Sequence, residues 1–127
     1  MTDFSDLARI TDAAFQADLA KLRQHARDEA RVRQAIADLD RQMEDAMAAQ
    51  TEVLSPWKAL GADQAWRSWI MRKRSEANMQ LARVLARKAE AAARVKLSFA
   101  RNQVGDELAA RQKEESRQRR LSKLSQY

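Results

Sequence analysis

The chain has 127 residues, a net charge of +6, 33% charged residues and 6% aromatics, with two glycines, one proline and no cysteine. These numbers allow one domain at most and exclude disulfides and thiolate metal sites. Rich in Ala, Arg, Gln and Leu and poor in large apolar residues, the chain can bury a narrow seam but not a thick core, the bias of long helices and coiled coils.

From Phe4 to Val53 no Gly or Pro interrupts the chain, and Thr2 or Asp3 can cap its start. Phe15, Leu22, Val32, Ile36, Leu39, Met43, Ala46 and Val53 recur at threes and fours, with polar gaps at Asp18, His25, Glu29 and Gln50. The spacing predicts a first helix over about 4–53, an arm of about 75 Å with an interrupted a/d seam. Ser55-Pro56 ends it, because proline lacks a donor and restricts the residue before it. Gly61 supplies a flexible position and Asp63 an N-cap, so the turn is predicted near residues 54–63.

The pattern resumes at about residue 64 with Trp66, Ile70, Ala77, Leu81, Val84, Leu85, Ala92, Val95 and Phe99, and becomes vague after Gly105. A second helix is predicted over about 64–110, followed by a basic tail, 111–127, that is expected to fray. Two helices of similar length joined by a short loop should fold back into an all-α antiparallel coiled-coil hairpin. Centring the turn near residue 59 places Ile36 near Leu81, Val32 near Leu85 and Phe15 near Asn102. Residues 1–63 carry a balance of −4 and residues 64–127 a balance of +10, so the halves attract but leave a basic surface.

His25 is the single histidine and falls on the seam, where a catalytic or zinc role would need partners the sequence does not offer. Gly61 and Gly105 stand alone, so no glycine-rich phosphate loop exists. The chain is read as non-enzymatic, with no catalytic residue, cofactor or metal. All three tryptophans cluster at the turn: Trp57, and Trp66 and Trp69 one helical turn apart, followed by Arg72, Lys73 and Arg74. They either pack the tip or form a partner surface, since tryptophan is enriched at binding hot spots. A second candidate surface is the basic terminal end, Arg111, Lys113, Arg117, Arg119, Arg120 and Lys123. With a pI of about 10.2, nucleic acid is an alternative partner. Specific recognition is not favoured, because the basic residues are not confined to one stripe and acids interleave throughout helix one. No membrane span or signal peptide is evident, which makes the cytoplasm the default location.

The segment "WRSWIMRKRSEANMQLARVLARKAEAAARVKLSFAR" resembles the Trp-x-x-Trp, basic run, Asn-x-x-Leu-Ala and Phe-x-Arg order of the FliJ family of flagellar export proteins and its YscO-type injectisome relatives. Its carriers are Trp66, Trp69, Arg72, Lys73, Arg74, Asn78, Leu81, Ala82, Phe99 and Arg101. The resemblance implies a hairpin that acts as a stalk in a type III export apparatus, peripheral to the inner membrane. Its paired termini would enter the export ATPase hexamer, its tip would touch an export gate subunit, and it would bind export chaperones. Two other classes stay open: a small secreted hairpin of the WXG type, although Trp57 and Gly61 are separated by three residues rather than one, and a basic coiled-coil adaptor or nucleic-acid-associated helix pair.

Overall fold

A computed structural model describes residues 3–50 and 62–126 and is all-α, two long helices packed against each other as an antiparallel hairpin. Helix α1 runs Phe4–Gln50 and α2 runs Ala62–Ser125. Asp3 caps α1: its carboxylate accepts the Ser5 N–H at 3.0 Å, and its carbonyl accepts those of Asp6 and Leu7. The predicted turn, with Trp57 and Gly61, lies outside the described residues. Helix α2 begins at Ala62, so Asp63 is not the N-cap but sits in the first turn. There it favours the positive helix end and pairs with Arg67 at 3.4 Å.

Two compact units are distinguishable. One lies within Gln24–Lys88, and the other joins the described parts of Met1–Arg23 and Ala89–Tyr127.

In the Gln24–Lys88 unit, Ile70, Ala77 and Val84 are buried at intervals of seven residues along α2, and Ile70 is only 1% exposed. Val32, Ile36, Leu39, Met43 and Ala46 of α1 are half-buried, as is Leu81 of α2. Leu85, expected on the seam, is 38% exposed beside it. Two cross-helix ion pairs hold the register: Lys88 Nζ donates to Glu29 Oε1 at 2.8 Å, and Arg74 Nε donates to Asp40 Oδ1 at 2.8 Å. A polar pair on a seam fixes alignment because a slip would strand its charges.

The Lys88 hydrogen bond, followed by that of Arg33, holds the Glu29 carboxylate below its ordinary pKa of 4.5. A carboxylate whose folded pKa is depressed stabilises the fold above its ordinary value, and that contribution disappears as pH falls through the folded value. Thermal melts over a pH series are therefore expected to show Glu29→Gln less stable than the parent at neutral pH, with the gap closing on acidification below 4.5. A gap independent of pH would mean that the pair contributes nothing electrostatic.

In the terminal unit the interval of seven continues through small residues: Ala91, Ser98 and Gly105 are buried. The Ser98 hydroxyl donates to the Asp18 carboxylate, filling one of the predicted seam gaps. Thr11 Oγ1 lies 3.0 Å from the Leu7 and Ala8 carbonyl oxygens and 3.4 Å from Asn102 Oδ1. Phe15 meets Phe99 with ring centroids 5.6 Å apart. The expected neighbour, Asn102, instead faces Thr11, about one helical turn nearer the terminus. Phe99, expected on the seam, flanks it at 47% exposure.

The terminal stretch departs from expectation more clearly. Rather than ending near residue 110 with a frayed tail, α2 continues to Ser125. The Phe4 N–H donates to Gln112 Oε1 at 2.9 Å, so an unsatisfied donor of the first turn of α1 is met by α2. Beyond Gln112 every described residue of α2 is exposed. Pairs at three and four residues, Glu114–Arg117 at 2.9 Å and Glu115–Arg119 at 3.7 Å, support the helix there.

Candidate functional site

Gly105 shows why the seam carries small residues. A Cβ built on it would lie 2.7 Å from Thr11 Oγ1 and 3.4 Å from Ala8 Cα. The backbones approach too closely here for a larger side chain. Where the seam is built from Ala, Ser and Gly, long side chains are left on the surface. Ile10, Met47, Met71, Met79, Leu97, Val104, Leu121 and Leu124 are each more than half exposed.

The predicted tip surface is only partly brought together. Trp66 is half-buried, whereas Trp69 is 42% exposed, so the two rings divide between packing and presentation. Trp69 lines a shallow groove of about 610 Å³, whose walls are Ala35, Asp38, Leu39 and Gln42 from α1 and Lys73, Glu76, Ala77, Met79, Gln80 and Arg83 from α2. Lys73 belongs to that groove and lies 3.6 Å from Glu76. Arg72 is exposed outside it. Arg74 is committed to Asp40 across the hairpin and acts as a register contact rather than a free docking group. Trp57 lies outside the described residues.

At the terminal end Lys113 and Arg120 line a second groove, of about 660 Å³, with Asp3, Ser5, Ala109, Ala110, Gln112 and Ser116. Arg111, Arg117, Arg119 and Lys123 are exposed elsewhere on the same helix. Glu114 and Glu115 sit beside Arg117 and Arg119, so this end is basic but partly neutralised.

His25 keeps its place on the seam. Its Nδ1 is buried without a hydrogen-bond partner, and the nearest carboxylate oxygen, Asp28 Oδ2, is 3.9 Å away. Asp28 already accepts from Gln24 Nε2 at 3.1 Å. Among the described residues no group of three His, Cys, Asp or Glu side chains is arranged to hold a metal ion, and no helix is long and apolar enough to cross a membrane.

What the arrangement offers chemically is contact. Two shallow grooves and a set of exposed apolar side chains stand among charges of both signs. Sequence reasoning missed the groove wall contributed by α1, Ala35, Asp38 and Gln42, because none of these residues stands out by type. Their place beside Leu39, at intervals of three and four, was the available signal. No family model, curated protein or solved structure matches the chain.

Proposed function

We propose that the chain is a non-enzymatic stalk or adaptor of a type III protein export apparatus, coupling an export ATPase to an export gate and binding export chaperones. The observation that carries this reading is the antiparallel hairpin itself, with a narrow seam of mostly small residues and polar rungs that leaves many of its large side chains facing outwards. Such a surface suits successive partners better than chemistry on a small molecule. The order of residues from Trp66 to Arg101 supports the particular apparatus. The exposed basic helix beyond Gln112 provides a terminal end suited to an acidic ring lumen. In this reading the chain works on the cytoplasmic side of the membrane, peripheral to the gate.

The tip assignment is tested with a purified gate subunit and the double substitution Trp66→Ala, Trp69→Ala. Binding is expected to weaken by about tenfold or more, since exposed aromatics dominate interfaces of this kind, while the helical circular dichroism signal is retained. Unchanged affinity would remove the tip from the contact. Loss of helicity would instead assign both rings to packing.

A further inference from the structure

The groove beside Trp69 does not end at Arg83. Gln80 and Arg83 also line an adjoining hollow of about 390 Å³, with Asp28, Arg31, Val32, Val84 and Arg87. The two form one trough along a single side of the Gln24–Lys88 unit. The Glu29–Lys88 and Asp40–Arg74 pairs fix the register of its walls and set Ala35 level with Gln80.

Charges follow one another along this trough in a definite order. On the Trp69 side of Gln80 stand Glu76 and Asp38, both acidic, and beyond them Lys73. On the other side stand Arg83 and Arg31, both basic, and beyond them Asp28 with Arg87. In a face-to-face pair related by a twofold axis crossing the trough at Gln80, each helix meets its own copy, which lays Asp38 on Arg31 and Glu76 on Arg83. Towards the ends Asp28 meets Gln42, and Lys73 and Arg87, both exposed, meet at the solvated rim. The centre, Ala35 and Gln80, is uncharged, and the Gln80 amide can both donate to and accept from its copy across the axis.

We propose that this trough is a self-association surface, occupied in solution by the same trough of a second copy in antiparallel orientation about a twofold axis at Gln80. An isologous contact requires a patch complementary to itself, which is the property this charge order has. The chain also has surface to cover. It exposes 10010 Å², against about 6900 Å² expected of a globular monomer of its mass. From Trp69 to Arg87 the trough is about 27 Å long and two helices wide, which gives roughly 500 Å² per copy. That is the lower end of specific interfaces, so the dimer is weak, reversible and salt-sensitive. The inference goes beyond the export reading and holds whether or not that reading does.

Sedimentation equilibrium on the full chain tests it. The mass should rise from monomer to dimer with concentration and return to monomer at high salt. Two variants then address the surface: Arg31→Glu with Arg83→Glu makes the matched charges all acidic, and Asp38→Arg with Glu76→Arg makes them all basic. Each variant alone is expected to dimerise at least about tenfold more weakly, because like charges now face one another. Mixed one to one, they are expected to form a heterodimer at least as tight as the parent dimer. Circular dichroism on each confirms that the helices persist. A parent that stays monomeric at every concentration overturns the proposal and leaves the trough open to a helix of another protein. Variants that dimerise as well as the parent place self-association elsewhere, and a mixture that forms no heterodimer contradicts the twofold arrangement.

Discussion

Replacing Ile70 with alanine is expected to cost about 2–5 kcal/mol and to produce the largest loss of stability of any single truncation on the seam. Ile70 is the one large side chain that is fully buried among the described residues. The other buried positions of its row in the same unit are Ala77 and Val84, which have less to lose. Alanine at position 70 opens a cavity between helices whose seam already contains little apolar volume, and no second layer can collapse into it. Urea melts followed by circular dichroism should show a marked fall in midpoint. Met71→Ala, one residue on and 65% exposed, serves as the control and should change stability by less than about 0.5 kcal/mol. Equal effects of the two substitutions would mean that the Ile70 layer does not hold the hairpin.

Enlarging Gly105 is expected to have the second-largest effect, and here two opposing terms can be separated. In an ordinary exposed helix, glycine to alanine gains about 1 kcal/mol through propensity. At Gly105 the new Cβ meets Thr11 Oγ1 at 2.7 Å, and Thr11 is a β-branched residue whose hydroxyl lies within bonding distance of its own helix carbonyls. Overpacking of this kind typically costs about 1–3 kcal/mol, and leucine should exceed the range for alanine because Ala8 Cα blocks the remaining space. Gly105→Leu is therefore expected to separate the helices in the terminal unit. Gly105→Ala combined with Thr11→Ala removes the clash and should recover the propensity gain, so the double substitution is predicted to be more stable than Gly105→Ala alone. If Gly105→Leu melts like the parent, the close approach at this level does not exist.

Much of this architecture could be read from residue types. The absence of Gly and Pro up to Val53, the breaker at Ser55-Pro56 and the spacing of Phe15, Leu22, Val32 and Ile36 led to two antiparallel helices, as observed. Asp18 and Glu29 were legible as seam gaps, but their partners were not. Ser98 and Lys88 show no apolar signal, and only their spacing of three from Val95 and Ala91 placed them inward. Leu85 and Phe99 attracted the seam assignment by being large, while Ala91, Ser98 and Gly105 held it by being small. Counting sevens from Ile70 would have found them. The helical tail was missed for a related reason: without an apolar stripe, the helix there rests on ion pairs at three and four residues.

The candidate surface was less legible than the fold. Trp69 proved exposed and Trp66 half-buried, a division that depends on a rotation of one residue and leaves no trace in composition. Arg72, Lys73 and Arg74 read as one basic run, yet Arg74 is tied to Asp40, a partner thirty-four positions away. Charge order along a groove became visible only when the register of the two helices was fixed.

The most direct test of the proposed role is to titrate the purified chain into the purified hexameric export ATPase of the same cell and follow hydrolysis together with co-sedimentation. The account predicts saturable binding and faster hydrolysis, both reduced when residues 113–127 are removed. Absence of binding at moderate salt, with hydrolysis unchanged, would contradict it.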